Sequence, residues 1–563
     1  MPALPFQRAS SLEALRTDHF DVVVIGAGIT GAGVALDAAS RGLRTALIER
    51  HDIASGTSSK SSKLVHGGLR YLQQGEIGLV YQALAERQRL LRNAPHLVRP
   101  LPFLIPMFGR DGVIPAKISR ILGAAMWGYD LTGGYRIGKL HRRVTKEQAL
   151  EFLPTLPPSK LVSGYLYYDA AADDARLTLT VARTAAHSYG ATVATRLEVT
   201  GIGRDPAGRA SSVTVRDLLG GEELIIATRA VVNAAGVWSD DIRALDEGVH
   251  PNSIRPAKGI HISVPHHLVP ATIAAVIPVP KDHRSVFVVP QDDVTYIGTT
   301  DTDYQGPIDD PQCTPEDIAY LLDAINASST TKLTASDIVG TWAGLRPLVK
   351  SASSGRTADL SRRHRVAESH SGVVTVTGGK LTTYREMAAD TVDEVVRDVL
   401  RDAAPPGATK CRTKKLPLRG ADGYDSVPLA AAGFPHTPPS SVQHLAQRYG
   451  GEARAVMSLI ETDPTLAEPL VEGLPYLRVE AVFAARYEMA QSVDDVLSRR
   501  TRARLWARDA AVAAADDVAS LIAPELGWST EQAGASAAEF RELCEHERTA
   551  AELPRTAPTE ARS

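Results

Sequence analysis

The stretch 20–50, FDVVVIGAGITGAGVALDAASRGLRTALIER, constrains the fold more than any other part of the chain. Its order is strand, glycine turn, helix, strand. Val22, Val23, Val24 and Ile25 form a β-branched apolar run, suited to a strand buried on both faces of a parallel sheet. Gly26, Gly28 and Gly31 complete a G-x-G-x-x-G pattern. The first glycine permits the tight turn, the second lets a pyrophosphate approach the backbone, and the third lets helix and strand pack closely. The helix start that follows offers unpaired N–H groups and a positive dipole end to phosphates. Ala32, Gly33, Ala35, Ala38 and Ala39 keep this helix slim, and Gly42 suits its C-terminal cap. Glu49 falls about twenty residues on, where a carboxylate can accept ribose hydroxyl hydrogens. The pattern predicts a dinucleotide-binding unit. It does not by itself separate FAD from NAD, and the glutamate opposes a bound 2′-phosphate.

The 563 residues suit two to four domains. The net charge of −3 gives no reason to expect a nucleic-acid partner. Cys313, Cys411 and Cys544 are far apart and form neither a disulfide framework nor a metal or redox pair, which fits a reducing cytosol. The first residues hold no sustained apolar core of a secretory signal, and no apolar run is long enough to span a bilayer. Membrane contact is therefore expected to be peripheral. No cluster of His, Cys and carboxylates has metal-ligand spacing, so no metal is expected, and no G-x-S-x-G elbow suggests a serine hydrolase.

A leader arm with a short helix around 12–16 precedes the first strand. After Glu49 comes SGTSSKSSKLVHGGLRYL, residues 55–72, rich in hydroxyls, glycine and cations. A polar loop is the simplest reading. Its abrupt apolar and aromatic end, and its supply of donors for a phosphate-rich cofactor, favour a functional one. Residues 77–92 read as a helix with Leu79, Ala83, Leu84 and Leu90 inside and Glu86, Arg87 and Arg89 outside. Pro95, Pro100, Pro102 and Pro106 then predict irregular structure. In 110–143 the basic residues outnumber the acids Asp111 and Asp130, among Ile118, Ile121, Leu122, Met126 and Trp127. Such a segment either lies in an anionic membrane interface or covers a domain with its charges solvated.

Residues 169–190 read as a helix capped by Asp173 or Asp174. Strands are expected over 191–199 and 213–218, with a turn at 205–209. The run 230–238 is a strand entering a small-residue turn at Ala235 and Gly236. Strand-like runs at 274–279, 285–289 and 295–298 predict an antiparallel sheet, and 315–326 a helix. The run 372–377 leads through Gly378 and Gly379 into a long helix over 382–401, a second anion-stabilising turn. A Pro/Gly linker at 403–410 marks a domain boundary, and the following residues read as helical, their many Arg and Asp side chains as a solvated surface.

Taken in order, the glycine turn, SSKLVHGGLRYL, DDARL at 173–177, VNAAGVW at 232–238, GLRPL at 344–348 and GGKLTTYRE at 378–386 closely resemble the FAD-dependent sn-glycerol-3-phosphate dehydrogenases. These belong to the glutathione-reductase-like and D-amino-acid-oxidase-like flavoproteins. The resemblance runs from about residue 21 to 400 and weakly beyond. It implies an α/β fold: a Rossmann-like FAD-binding domain of the glutathione-reductase type, an antiparallel-sheet substrate domain and a C-terminal helical domain. The expected division is 18–95, 160–250 and 365–402 for FAD; 96–159 and 251–364 for substrate; 411–545 for the helical domain; and a disordered tail over 546–563.

The resemblance further implies non-covalent FAD held by Gly26, Gly28, Gly31, Glu49, Ser61, Ser62, Lys63, His66, Gly67, Gly68, Ala235, Gly236, Gly379, Lys380, Leu381 and Thr382. His66 reads as cofactor-loop structure and not as a base. Oxidising a secondary alcohol needs a base, a flavin facing the C–H bond, and positive charge for the developing alkoxide. A lone His is more often structural. His261 matches the family's active-site His, however, and Arg346 and Lys380 match cations beside the reacting oxygen and flavin. Arg70, Tyr71 and Arg362 match substrate-phosphate residues, Arg362 in a stretch whose length departs from the family. Implied partners are sn-glycerol-3-phosphate, a quinone as electron acceptor, and the inner face of the cell membrane for a cytoplasmic, peripheral enzyme. The helical domain is expected to serve a homodimer or quinone-side contacts. An O₂-using glycerol-3-phosphate oxidase, a D-amino-acid-type oxidase and a flavin-binding regulatory protein without turnover are the alternatives. Several cations in one pocket favour a phosphate over a lone carboxylate.

Overall fold

The computed structural model of the chain describes residues 6–68, 76–109, 123, 126–279, 284–350 and 364–556. Its first unit is built on a six-stranded sheet. The spatial order is Arg365–Glu368, Val374–Thr377, Val231–Asn233, Val22–Ile25, Thr45–Ile48 and Thr192–Ala194. All neighbours are parallel except the Arg365–Glu368 edge. Val22–Ile25 is buried along its whole length, as expected of a central parallel strand covered on both faces. Helices Ile29–Ser40, Asp174–Tyr189 and Tyr384–Glu394 join this sheet in one apolar core. A four-stranded sheet of His19–Phe20, Glu223–Thr228, Ala210–Asp217 and Leu197–Arg204 flanks it.

The second unit is a large, mostly antiparallel sheet. Its far end carries Ile254–Pro265 between Gly340–Val349 and Val294–Gly298; its near end pairs Leu64–Val65 with Leu161–Ala172. The loop after the first βαβ unit therefore becomes an edge strand of the second unit, which ties the two together. One face of this sheet packs on helix Pro315–Ala327. The other face shares a core with the C-terminal helices, in which Phe103, Tyr296 and Trp342 meet Leu497, Trp506, Val518 and Phe540.

Several expectations need correction. Val98–Phe108 is a strand despite its prolines. Pro100, Pro102 and Pro106 fall on one side of its alternation, so the missing N–H groups line one edge, where the pairing to Ala274–Pro278 covers only two residues. Glu86 and Arg87 are buried, not outside: Glu86 binds Arg385, and Arg87 binds Asp169 at 2.5 Å. Residues up to Ala172 continue a strand, and the next helix starts at Asp174, with Asp173 as its cap accepting from the Arg176 N–H at 3.1 Å. The C-terminal charges are not a solvated surface: Arg499, Arg500, Arg502 and Arg508 are buried. Three of them face acids of the first unit, Asp52 and Asp174, and a buried guanidinium needs such a partner. Helix Thr530–Ala550 also runs past the expected boundary, and Leu553 is buried in the core under the second sheet.

Candidate active site

The glycine corner is shaped for close backbone approach. Gly26 has φ +98°, and a Cβ there would sit 2.9 Å from the Ala234 carbonyl oxygen. A Cβ on Gly31 would fall 1.8 Å from the Gly26 carbonyl oxygen. Helix Ile29–Ser40 begins at this point with Gly28 as its cap. The Glu49 carboxylate accepts from Ala27 N–H at 2.7 Å and from His51 N–H at 2.9 Å. Burial pushes its carboxyl upward against those two bonds. Each oxygen keeps a further lone pair for a ribose hydroxyl. The turn at Ala235 and Gly236 lies directly against this corner, because Gly26 has no side chain. A backbone cradle that a side chain would fill, a helix start and an acid at its mouth fit the diphosphate and ribose of FAD. Two residues here escaped the sequence analysis. Ser58 Oγ accepts from the Ile29 N–H at 2.9 Å, and the Arg50 guanidinium lies 5.5 Å over the Trp238 ring.

The loop that follows carries the hydroxyl-rich motif, with most of its groups engaged inside the protein. Ser61 donates through both Oγ (2.7 Å) and N–H (3.0 Å) to Asp174 Oδ2. Ser62 Oγ lies 2.9 Å from His261 Nε2, and the Ser62 carbonyl accepts from the Tyr296 hydroxyl at 2.9 Å. Lys63, with φ +56°, is buried with its ammonium 4.4 Å over the Trp342 ring and 3.5 Å from Asp174. Burial and the Arg502 charge bring its pKa down to about 7. His66 donates its N–H to Thr382 Oγ1 at 3.2 Å and sets its ring edge-on to Phe287. Gly67 N–H bonds Asp169 and the Tyr129 hydroxyl, and Gly68 takes φ +78°. Gly379, Lys380, Leu381 and Thr382 form the turn that Thr382 fastens to His66. Arg70, Tyr71 and Arg362 lie outside the described residues.

His261 sits on strand Ile254–Pro265, opposite Trp342 on one neighbour and Gly298 on the other. The missing side chain at Gly298 makes room for the ring, since a Cβ there would lie 2.2 Å from His261 Cδ2. Gly259, on the same face of the strand, does the same for Arg346: a Cβ would fall 2.5 Å from its guanidinium. Arg346 donates to Thr299 Oγ1 at 3.2 Å and to Asp301 Oδ1 at 3.4 Å. His261 is 2 % exposed. Burial holds its pKa well below the usual imidazole value, and Lys63 and Arg346 push the same way. The ring is thus neutral at physiological pH and available to accept a proton.

His261 and Arg346 therefore share one face, and Phe287, paired with Gly298, links that face to His66 and the Lys380 turn. Trp342 and Tyr296 were missed as site residues. For Trp342 the period-two alternation with Gly344 and Arg346 was the available signal.

A parallel dinucleotide sheet joined to a second sheet that carries His261 and Arg346 on one face suits a dinucleotide-dependent oxidoreductase. The family model described as FAD dependent oxidoreductase matches residues 21–385, and that of the C-terminal domain of alpha-glycerophosphate oxidase matches 411–533. The chain is 43% identical over 530 residues to glycerol-3-phosphate dehydrogenase 2 of Mycobacterium tuberculosis, covering 93% of this chain and 88% of the relative. It is 37% identical to the mitochondrial glycerol-3-phosphate dehydrogenase of Mus musculus, over 93% of this chain and 73% of that one. The crystal structure of glycerol-3-phosphate dehydrogenase from Bacillus halodurans, complexed with FAD, superposes with a TM-score of 0.77 at 30% identity, covering 98% of this chain and 99% of that one. The chain belongs to the FAD-dependent glycerol-3-phosphate dehydrogenase family.

Proposed function

We propose that the enzyme oxidises sn-glycerol-3-phosphate to dihydroxyacetone phosphate and passes the electrons to a quinone. One observation carries this reading: the neutral His261 imidazole and the Arg346 guanidinium share one face, beside the loop that leaves the glycine corner. Bound FAD supplies the hydride acceptor, flavin N5. Gly26, Gly28, Gly31, Glu49, Ala235 and Gly236 would hold its nucleotide half, and the His66–Gly68 and Gly379–Thr382 turns would border its ring.

The rest of the chemistry falls to side chains. His261 takes the hydroxyl proton, and Arg346 and Lys380 stabilise the alkoxide as it forms. Arg70, Tyr71 and Arg362 hold the phosphate. A substrate dianion arriving beside Arg346 opposes the effect of the cations on His261 and raises its basicity when it is needed. Trp342 and Tyr296 close the back of the ring and keep water from it.

The test is anaerobic addition of sn-glycerol-3-phosphate to the purified flavoprotein. Bleaching of the flavin absorbance, reversed by a quinone analogue, is the expected result; an unchanged spectrum removes the proposal. Peroxide release with rapid O₂ consumption would instead favour the oxidase. Docking on the anionic inner face of the cell membrane is part of the same reading. No described helix is long and apolar enough to cross a membrane, while Trp127 and Leu131 stand exposed.

A further inference from the structure

The C-terminal helices reach the reaction centre from behind. Arg502 is buried, and its Nη2 donates to Asp174 Oδ1 at 2.8 Å and to the Ser59 carbonyl at 2.6 Å. The other oxygen of Asp174 holds Ser61 by both its hydroxyl and its N–H. The adjacent Ser62 meets His261 Nε2. Trp506 packs against Tyr296 and Trp342, with ring centroids 5.9 and 5.7 Å apart, and Trp342 lies flat against His261. A continuous path of contacts thus runs from the helical domain to the imidazole. The orientation of a base is set by what holds its other nitrogen and its ring faces.

The same path bears on the tautomer. His261 Nδ1 is buried and has no hydrogen-bond partner among the described residues. With the ring proton on Nε2, donating to Ser62 Oγ, Nδ1 carries only a lone pair. The opposite tautomer would strand a buried N–H, the costlier outcome. Ser62 therefore selects the tautomer that leaves Nδ1 as the basic nitrogen.

We propose that Arg502 and Ser62 are positioning residues for the reaction: Arg502 clamps Asp174, Asp174 fixes Ser61, and Ser62 holds the His261 ring and its tautomer. The helical domain is then a working part of the site and not only an interaction surface. This rests on His261 being the base.

Steady-state kinetics on the FAD-loaded full chain with sn-glycerol-3-phosphate test it, normalised to bound flavin. Ser62→Ala is expected to lower kcat about tenfold, the worth of one hydrogen bond, with KM changed less than about twofold. Arg502→Met should lower kcat similarly, and Arg502→Lys should restore part of it. The deciding measurement is the double variant: Arg502→Met should cost less than about twofold more once Ser62 is alanine, because both act through one contact. Equal losses in both backgrounds, or an unchanged kcat in either single variant, overturn the proposal. If Arg502→Met does not fold, Tyr296→Phe, which removes only the hydroxyl bond to the Ser62 carbonyl, takes its place in the same cycle. Wild-type turnover in His261→Ala sinks the base reading itself. Lost turnover there, with independent effects of Ser62 and Arg502, sinks the positioning path alone.

Discussion

The imidazole of His261 lies parallel to the indole of Trp342, ring centroids 4.7 Å apart and planes 8° apart. The two residues are register partners on neighbouring strands, so the stack follows from the sheet and not from a mobile loop. His261 stands on the second sheet, whereas the glycine corner belongs to the first. His261→Gln should therefore lower kcat by about 10²–10⁴, the usual worth of a general base, while flavin content stays at wild-type level. Turnover against a quinone analogue and the flavin-to-protein absorbance ratio measure both. Near-wild-type kcat would remove the residue from the mechanism.

The pH dependence has a defined sign. The His261 pKa lies well below 6.5, so as pH falls below 6.5 the unfolded chain binds this proton before the folded one does. Its contribution to stability falls as pH drops from 6.5 towards the folded pKa, and the acid limb of kcat/KM, which reports the substrate-free enzyme, should lie below 6.5. Lys63 is one of the charges that depress it. Lys63→Met should move that limb towards higher pH while FAD stays bound, as measured by kcat/KM over a pH series. A limb that does not move, or moves down, contradicts the electrostatic assignment.

The glycine corner gives a steric prediction. A Cβ on Gly31 would overlap the Gly26 carbonyl oxygen, which is backbone and cannot swing away. Gly31→Ala must part the helix from the turn, at a cost of about 1–3 kcal/mol or more. The expected result is purification without flavin and a lowered melting temperature. Gly42→Ala is the control, since nothing lies within 4 Å of a Cβ there and only its positive φ is strained. Flavin retention in Gly31→Ala would mean that the corner yields.

How much of this was legible depended on periodicity. Val22–Ile25, Gly26 and Glu49 announced themselves, because a buried parallel strand and a phosphate turn leave local signatures. Asp173 did so as a cap. Glu86 and Arg87 did not: helical periodicity puts charges outside, and Arg385 and Asp169, far along the chain, hold these two inside. Strand Val98–Phe108 was hidden by prolines tolerated on one edge only. The link from Ser62 to His261 spans distant segments, so no local spacing encodes it. The same holds for Arg502, whose partner Asp174 belongs to another domain.

The domain junction makes a stability prediction. Asp52 is fully buried and accepts from Arg500 through both oxygens at 2.8 Å, with Arg499 at 2.5 Å. Arg499 keeps Asp494 and Asp495, but Asp52→Asn would leave the buried Arg500 guanidinium short of its close counter-charge, which costs about 3–5 kcal/mol. Thermal unfolding of the holoenzyme should start markedly earlier and separate into more than one transition as the helical domain loosens. A single transition at the wild-type temperature would show that the pair contributes little to the junction.

The membrane reading turns on a patch that sheet and core leave outside. Trp127 is 55% exposed and Leu131 77%, one helical turn apart and so on one face, with Leu140 52% exposed nearby in sequence. Lys139 and Arg142 flank them. An apolar face with Trp rimmed by cations suits an anionic interface, where each basic residue adds about 1 kcal/mol. Neutralising Lys139 and Arg142 together should then weaken binding to phosphatidylglycerol vesicles by roughly thirtyfold at low salt. Trp127→Ser with Leu131→Ser should weaken it on vesicles of any charge. Because Trp127 and Leu131 are exposed while His261 is buried, turnover with a water-soluble quinone analogue should be unchanged while turnover with a vesicle-embedded quinone falls. Equal co-sedimentation of wild type and both variants would mean that the patch serves another surface, and that electrons leave the flavin without docking there.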